Sequence, residues 1–299
     1  MSTVLSLQNI SKSYGRLKAL KDVSFDIPGG SVYGILGPNG SGKTTLLGIV
    51  MDVLKANSGS YSWFGKTGDE NPRQDIGTLL ETPNFYHYLS ARRNLEISAA
   101  IKQKSASDIE RVLKVVRLYE RQDSKFQSFS LGMKQRLAIA ATLLGDPSVL
   151  VLDEPTNGLD PAGIAEIRQL ITELAVRGKT IILASHLLAE VEKLCTHVAI
   201  LQQGILIKSG DVSSALNQEE WVEVSAANTD QLEAALKELK EIKKIVRNGR
   251  QVQVYFTGIP DPALLNQYCF EKGIILNFLQ VRRKSLESAF IELTNNVSN

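Results

Sequence analysis

Cysteine is scarce in this chain, and long apolar runs are missing. The 299 residues include two cysteines, Cys195 and Cys269, which lie far apart and lack metal-ligand spacing. That spacing favours reduced thiols in a core over a disulfide framework or a zinc site. No apolar run has the length of a membrane span, and the first residues lack the layout of a signal peptide. We therefore expect a cytoplasmic protein.

Excess charge of either sign is also missing. The chain carries 34 basic and 32 acidic residues, a formal net charge of +2, which gives no reason to expect a nucleic-acid partner. The hydrophobic fraction of 43% and the charged fraction of 22% are those of an ordinary globular protein. The length favours more than one domain.

The most specific stretch present is GPNGSGKTT, from Gly37 to Thr45, which fits the phosphate-binding pattern G-x-x-x-x-G-K-[ST]. Such a loop curls backbone N–H groups around a polyphosphate at a helix N-terminus, and glycine permits the tight curl. Lys43 adds a positive charge for the β- and γ-phosphates, while the Thr44 hydroxyl can ligate Mg²⁺. An apolar strand before the loop and an apolar helix after it make an accidental glycine-rich turn the weaker explanation.

Strands alternate with helices along the first two thirds of the chain. The apolar strand Ser148 to Leu152 delivers Asp153 and Glu154 at its end, and the strand Thr180 to Ala184 is followed closely by His186. This alternation predicts an α/β fold with a mostly parallel sheet covered on both faces. Ligands of such sheets bind at the carboxyl ends of the strands. Two segments near the N-terminus alternate instead like antiparallel strands with one buried face.

Four aromatic rings follow one another in the loop Phe85-Tyr86-His87-Tyr88. Either these rings pack beneath the next helix, or they form an exposed contact patch for another protein. Ser90 can cap that helix, predicted from Ala91 to about Lys104, and Ser107 can cap a second helix.

Five elements then come in a fixed order: the phosphate loop, Ser130-Leu131-Gly132-Met133, Asp153-Glu154, Gly158-Leu159-Asp160 and His186. Over roughly residues 3 to 217, the chain resembles the ATP-binding cassette (ABC) ATPases. The resemblance implies an ABC-type P-loop NTPase domain at residues 1–217 that binds ATP and Mg²⁺ and hydrolyses ATP. It also implies a mostly parallel sheet, an antiparallel β-subdomain, and a helical subdomain at about residues 84–146.

The resemblance gives each matching residue a role. The adenine platform and the phosphate loop would hold the nucleotide through Tyr14, Gly37, Pro38, Asn39, Gly40, Ser41, Gly42, Lys43, Thr44 and Thr45. Asp153 would join Thr44 in ligating Mg²⁺. Glu154 would act as general base for the attacking water, and His186 would contact the γ-phosphate and orient the water and the base. Taken alone, Tyr14 would be a packing residue at a strand end.

In this family Ser130 and the N–H of Gly132, at a helix N-terminus, close on the γ-phosphate held by another subunit. The resemblance therefore implies a homodimer that sandwiches two nucleotides head to tail, with Asp160 near the interface. It further implies integral membrane permease subunits as partners and a peripheral location on the inner face of the cell membrane. The aromatic loop would then be the surface that docks on the permease.

Two residues depart from the family's pattern. Leu131 replaces the first glycine of the usual LSGGQ signature, and because leucine resists positive φ, the signature cannot depend on a left-handed residue there. Glu81, after the predicted strand Ile76 to Leu80, stands where the family's glutamine usually reaches Mg²⁺ and the attacking water. A carboxylate can still ligate the metal, although it lacks the amide donor. We therefore expect Glu81 to be a catalytic and metal-binding residue.

This glutamate and the SLGM-type signature resemble drug and peptide-antibiotic exporters of the bacitracin and lantibiotic-immunity type. The expected function is thus the ATP-hydrolysing subunit of an exporter of a drug, a peptide antibiotic or a similar amphipathic substrate. Two alternatives stay open, a non-transport ABC ATPase and a regulatory nucleotide-binding module that does not hydrolyse. The chain has neither the long coiled coil of DNA-repair members nor the second cassette of translation factors, and Glu154 disfavours the regulatory module.

The last third, residues 218–299, has charges of both signs and no catalytic cluster. Its segments are predicted in the order strand, helix, strand, strand, helix, strand, with a hairpin turn at Asn248-Gly249. This βαββαβ order predicts a small ferredoxin-like α+β domain. A structural or dimer-stabilising role is favoured over small-molecule sensing.

Overall fold

The computed structural model describes residues 2–66, 75–80, 84–212, 220–283, 287, 288 and 290. These residues form two compact units, one within Met1–Ala215 and one within Leu216–Glu292. The predicted boundary at residue 217 falls among residues 213–219, which lie outside the described residues.

The strands and helices of the described residues are numbered in chain order. The strands are β1 (Thr3–Tyr14), β2 (Leu17–Pro28), β3 (Val32–Leu36), β4 (Ser58–Trp63), β5 (Ile76–Leu79), β6 (Val149–Asp153), β7 (Thr180–Ser185), β8 (His197–Gln202), β9 (Ile205–Asp211), β10 (Glu220–Ala226), β11 (Ile242–Asn248), β12 (Gln251–Phe256) and β13 (Leu276–Arg283). The helices are α1 (Lys43–Val50), α2 (Ala91–Ile101), α3 (Ile109–Val115), α4 (Leu131–Thr142), α5 (Pro161–Val176), α6 (Leu188–Leu194), α7 (Thr229–Leu236) and α8 (Pro262–Glu271). None of these helices is long and apolar enough to span a bilayer.

The first unit is built on a six-stranded sheet in the order β5-β6-β7-β3-β8-β9. Its first five strands are parallel, and the edge strand β9 pairs antiparallel with β8. Every residue of β3, β6 and β7 is buried, as expected for strands covered on both faces. The predicted mostly parallel sheet is confirmed. In its register Leu36 pairs with Ser185, and Asp153 with Ala184, so the carboxyl ends of these three strands meet at one edge.

A three-stranded antiparallel sheet, in the order β2-β1-β4, completes the β-structure of this unit. In β2 the buried Val23, Phe25 and Ile27 alternate with the exposed Ser24 and Asp26. This period of two is the reason that the sequence predicted a strand with one buried face. The buried face shares one apolar core with α1 and with the central sheet.

Helix α2 begins as predicted and ends earlier than predicted. The Ser90 hydroxyl accepts a hydrogen bond of 3.3 Å from the N–H of Arg93, which confirms the predicted cap. The helix ends at Ile101 rather than near Lys104, because Gln103 adopts a left-handed backbone with a φ of 53°.

The predicted cap of the next helix was wrong. Ser105, not Ser107, precedes the 3₁₀ turn Ala106–Asp108 that leads into α3, and its hydroxyl accepts a hydrogen bond of 3.2 Å from the N–H of Ser107. The extra turn moves the free N–H groups toward the N-terminus, and the cap moves with them. The predicted apolar face is buried, through Ile109, Val112, Leu113, Val116 and Leu118.

The second unit follows the predicted order β10-α7-β11-β12-α8-β13. Its antiparallel sheet has the order β11-β12-β10-β13, which is the split βαβ arrangement of a ferredoxin-like domain. The predicted fold is confirmed, while the hairpin turn lies one residue later than predicted. Asn248 pairs with Gln251, so the two-residue loop consists of Gly249, with a φ of 62°, and Arg250. Glycine therefore occupies the first central position of the turn.

Candidate active site

The phosphate loop connects β3 to α1, and close approaches require glycine at two of its positions. Gly42, just before α1, has a φ of 106°, and a Cβ there would lie 2.6 Å from the carbonyl oxygen of Ala19. A Cβ on Gly37 would collide with the carbonyl oxygen of Leu201. The first N–H groups of α1 have no acceptor within the helix, and the helix dipole adds partial positive charge. The loop therefore forms an anion-binding helix N-terminus.

Lys43, the first residue of α1, is only 6% exposed. Its ammonium donates to the carbonyl oxygens of Gly37 at 2.8 Å and of Pro38 at 3.3 Å. Its Nζ also lies 3.5 Å from Oε1 of Glu154. The loop's own carbonyl groups thus hold the positive charge inside the loop, where it can neutralise a bound phosphate.

Thr44 and Asp153 meet beside Lys43. The Thr44 hydroxyl donates a hydrogen bond of 2.8 Å to Oδ2 of Asp153, which ends β6 and is 6% exposed. Both groups are hard oxygen donors of the kind that Mg²⁺ binds, and Mg²⁺ usually takes one or two protein ligands together with water and phosphate oxygens. Within the described ranges no group of three or more His, Cys, Asp or Glu side chains could hold a metal. The pair fits a Mg²⁺ shared with a nucleotide.

Glu154 follows β6 directly, and its backbone is left-handed with a φ of 47°. Such a conformation costs a glutamate about 1–3 kcal/mol and is found preferentially at functional sites. The Glu154 N–H donates to the carbonyl oxygen of Ala184 at 3.0 Å, which holds the turn against β7. One carboxylate oxygen faces Lys43, and Oε2 lies 2.9 Å from Nδ1 of His186, the residue after β7.

The structure therefore brings Lys43, Glu154 and His186 together from three separate parts of the sequence. An ammonium and an imidazole fix the two oxygens of one carboxylate. A carboxylate fixed in this way is a positioned base, because its remaining lone pairs can accept a proton from a water molecule.

A cleft of about 740 Å³ opens beside the phosphate loop. Of the site residues predicted from the sequence, those that line this cleft are Tyr14, Asn39, Gly40, Gly42, Lys43, Thr44, Thr45 and Glu154. Tyr14 ends β1 and is 46% exposed, so its ring is available to stack on a planar ligand. Pro38 and Ser41 do not line the cleft among the described residues. They stabilise the turn of the loop, because the Ser41 N–H donates to the Pro38 carbonyl oxygen at 3.1 Å.

The signature residues lie at a different helix N-terminus. Ser130 caps α4 by accepting a hydrogen bond of 3.3 Å from the N–H of Met133. Leu131 is the first helical residue, so the prediction that no left-handed residue stands there is confirmed. A Cβ on Gly132 would meet nothing within 4 Å, which leaves this N-terminus open. Neither Ser130 nor Gly132 is among the described residues that line the cleft.

Two further predicted residues lie apart from these groups. Asp160 caps α5, where its carboxylate accepts a hydrogen bond of 3.0 Å from the N–H of Gly163, and it does not line the cleft among the residues described. Glu81 lies outside the described residues, and its catalytic and metal-binding roles stay predictions.

Comparison with known proteins assigns this chain to one family. Residues 20–157 match the family model described as ABC transporter. The bacitracin transport ATP-binding protein BcrA of Bacillus licheniformis is 35% identical over 302 residues, which cover 98% of this chain and 98% of BcrA. The chain belongs to the ABC transporter ATP-binding proteins.

Two other similarities agree with this membership. The lantibiotic transport ATP-binding protein SrtF of Streptococcus pyogenes is 39% identical over 73% of this chain and 95% of SrtF. The solved dimeric post-hydrolysis state of the ATP-binding cassette MJ0796, bound to ADP and Pi, is 27% identical with a TM-score of 0.61, over 70% of this chain and 98% of that one. The protein is therefore an ABC transporter subunit that binds and hydrolyses ATP.

Six residues of this ABC ATPase that were not predicted also line the cleft, and four of them have polar or charged side chains: Arg16, Lys18, Lys21 and Gln203. The three basic residues follow Tyr14 within a short stretch, and this clustering was a readable signal. None of them forms an ion pair with a carboxylate of the described part of the chain. Gln203 has no such local signal, since only the pairing of β8 with β9 brings it to the cleft.

Two rings of the aromatic loop, the half-buried Phe85 and the exposed His87, contact a ring outside the loop. Phe85 meets Phe126 edge-on with a ring-centroid distance of 5.2 Å, and His87 lies 5.5 Å from the same ring. Phe126 in turn lies 6.3 Å from Phe129, the residue before the signature. One buried ring therefore joins the aromatic loop to the start of α4.

The other two rings of the loop are exposed, as the second alternative predicted. Tyr86 and Tyr88 are 51% and 65% exposed, and their rings lie 5.9 Å apart. The buried Asn94 amide accepts from the Tyr86 N–H at 2.8 Å and donates to the Tyr86 carbonyl oxygen at 3.1 Å. The two exposed rings are thus carried by a fixed backbone.

Proposed function

We propose that two copies of this chain assemble head to tail around two ATP molecules, so that Ser130 and Gly132 of one copy complete the cleft of the other. The supporting observation is that the two anion-binding helix N-termini are separated. Lys43 and the phosphate loop line the cleft, whereas the open N-terminus of α4 does not. The solved structure of the cassette MJ0796 with ADP and Pi is also dimeric.

In this dimer the phosphate loop binds the β- and γ-phosphates, and Lys43 neutralises part of their charge. Mg²⁺, held by Thr44 and Asp153, supplies further neutralisation of the phosphate oxygens when it is bound. Glu154 accepts a proton from the water that attacks the γ-phosphate, and His186 keeps the carboxylate oriented. The α4 N-terminus of the other copy adds N–H donors on the far side of the γ-phosphate, where negative charge is concentrated.

The shared site is tested by mixing two inactive variants. Glu154→Gln removes the base from a copy's own cleft. Gly132→Asp puts a carboxylate at the open α4 N-terminus, where the fold has room for it but a phosphate would be repelled. Each variant alone should lose about a hundredfold or more of its turnover.

A mixed dimer has one site with both a normal base and a normal signature. With random association, mixing should therefore restore about a quarter of the wild-type phosphate release, because half of the dimers are mixed and half of their sites work. The control mixes Glu154→Gln with the double variant Glu154→Gln/Gly132→Asp, which should restore nothing. No gain in the first mixture would contradict a site shared between two copies.

We further propose that the dimer drives permease subunits at the inner face of the cell membrane and exports a peptide antibiotic or a similar amphipathic substrate. The similarity to bacitracin and lantibiotic transport proteins supports the substrate class. The exposed pair Tyr86 and Tyr88 supports a docking surface for the permease, because fixed exposed aromatic rings are typical of protein interfaces.

Expression with the permease in a bacitracin-sensitive host tests the transport role. Wild-type protein should raise the tolerated bacitracin concentration, and Glu154→Gln should not. Replacing Tyr86 and Tyr88 by serine should weaken binding of the permease about thirtyfold or more, since truncating an important interface residue costs more than about 1 kcal/mol, while the isolated subunit keeps its ATP hydrolysis. Unchanged binding would remove the docking assignment.

A further inference from the structure

The turn between β8 and β9 carries an unexpected residue. Gln202 pairs with Ile205, so the turn itself consists of Gln203 and Gly204, whose φ angles are 48° and 78°. Positive φ at both central positions defines a type I′ turn, for which Asn-Gly and Gly-Gly are preferred. A glutamine at the first position is disfavoured by its own backbone.

This conformation is shared with a catalytic residue. Nine described non-glycine residues have positive φ, and Gln203 and Glu154 are the two of them that line the cleft. A non-glycine residue with a left-handed backbone beside a ligand site points to a role for its side chain, since asparagine or glycine would fit that backbone better.

The turn is fixed to the wall of the cleft on two sides. The Gly204 N–H donates to the carbonyl oxygen of Ser41 in the phosphate loop at 3.1 Å, and the Gly204 carbonyl oxygen accepts from the Lys21 N–H on β2 at 2.8 Å. A Cβ on Gly204 would lie 2.5 Å from the Ala19 carbonyl oxygen, so glycine permits this contact. Gln203 is thus held between the phosphate loop and β2.

Gln203 lines the same cleft as Lys43 and Tyr14. The phosphates belong to the loop that contains Lys43, and the base would stack on Tyr14, at the strand end where β1 pairs with the start of β2. The sugar must therefore lie between them, in the cleft beside β2, to which the turn of Gln203 is bonded. A carboxamide has no charge to offer a phosphate, but it donates and accepts hydrogen bonds, as the two ribose hydroxyls also do.

We propose that Gln203 binds the ribose of ATP through its side-chain amide and thereby favours ribonucleotides over deoxyribonucleotides. The inference rests on the nucleotide position of the proposed function, with the triphosphate in the loop of Lys43. Gln203 is a binding residue and touches none of the reacting atoms.

The test compares ATP, 2′-deoxyATP and 3′-deoxyATP as substrates of the full-length dimer. Gln203→Gly removes the side chain and gives the turn a preferred Gly-Gly sequence, so the fold is retained. It should raise the KM for ATP about fivefold to tenfold, the effect of one lost hydrogen bond to a ligand. It should leave kcat unchanged. The wild type should prefer ATP to at least one of the two deoxy analogues, and the variant should lose that preference.

Two further variants separate contact from turn shape. Gln203→Asn gives the turn its best sequence, so the protein should unfold at the same or a higher temperature, while the shorter amide should still raise the KM for ATP. Gln202→Ala changes the neighbouring glutamine, which does not line the cleft in the described part of the chain. It should leave both KM and the preference for ATP as in the wild type.

The inference is wrong if Gln203→Gly keeps the wild-type ratio of KM values for the deoxy analogues and ATP. It is equally wrong if all three substrates lose affinity by the same factor, because that result assigns the effect to the turn. The proposed function fails separately, if Lys43→Ala leaves the KM and kcat for ATP unchanged.

Discussion

Buried polar side chains serve different purposes in the two compact units. In the first unit Lys43 and Asp153 are buried at the carboxyl edge of the parallel sheet, and their functional groups line or flank an open cleft. In the second unit Glu223 is 7% exposed, and its Oε2 accepts a hydrogen bond of 3.2 Å from Nε of Arg282 on the neighbouring strand. The first group lies at a cleft that a ligand can enter, whereas the second pair closes on itself across a sheet.

The comparison teaches that burial of a charge does not by itself identify a functional site. Glu154 and Glu223 are the same residue type, and each has a basic neighbour within 3.5 Å. They differ in backbone and in surroundings, since Glu154 is left-handed at a strand end and Glu223 lies inside a regular strand. Ligands of parallel sheets bind at the carboxyl ends of the strands. This location, and not burial, distinguishes the functional Glu154 from the structural Glu223.

The largest expected effect comes from making the same substitution, glutamate to glutamine, in each unit. Glu154→Gln should lower kcat about 10²- to 10⁴-fold, as expected for loss of a general base, with little change in stability. Glu223→Gln should leave kcat unchanged. It should instead speed hydrogen exchange of the β10 and β13 amides by about fivefold, for a loss of about 1 kcal/mol where the partner is half exposed. The measurements are phosphate release and amide exchange on the full-length protein. A comparable fall in kcat for both variants would show that the distinction is false.

A smaller effect sharpens the comparison within the first unit, away from the cleft. Oδ2 of Asp108 accepts hydrogen bonds from Nη2 of Arg111 at 2.9 Å and from the Gly145 N–H at 2.8 Å. The bond from Arg111, more than the other contacts, holds the pKa of the Asp108 carboxyl below its ordinary value. This pair is therefore structural, like the Glu223 pair of the second unit.

Because the folded pKa of Asp108 is lowered, its ionised form stabilises the fold. The contribution is complete above a pH of about 4, where aspartate in the unfolded chain is ionised, and it is lost as the pH falls through the folded pKa. Asp108→Asn should therefore lower the free energy of unfolding at neutral pH by at most about 1 kcal/mol, because the pair is partly exposed. The thermal midpoint should fall accordingly. The gap from wild type should shrink below about pH 4, with kcat unchanged at neutral pH. A gap that widens in acid would refute the assignment.

Much of the site could be predicted because its signals are local. The phosphate loop is one contiguous motif, and Asp153, Glu154 and His186 each end an apolar strand whose neighbours are also parallel strands. Once the strands are placed, the shared edge of the sheet brings those side chains together. The separation of Ser130 from the cleft was implied by the family resemblance and has no local signal of its own.

Apart from the basic cluster after Tyr14, what was missed depends on strand pairing or on turn geometry that no short stretch of sequence contains. Gln203 reaches the cleft because β8 and β9 form a hairpin whose tip bonds to Ser41, far away in sequence. The cap at Ser105 and the hairpin loop at Gly249 were misplaced because an added 3₁₀ turn and a strand register each moved a boundary. In both cases tertiary contacts decided between local options of similar energy.

The ring of Phe126 has a mechanical consequence. It is wedged between His87 of the aromatic loop and Phe129, the immediate neighbour of Ser130. Close-packed rings resist compression and transmit displacement. A displacement of the aromatic loop would therefore be transmitted to the N-terminus of α4 through these side-chain contacts. A displacement of α4 would be transmitted to the loop through the same contacts.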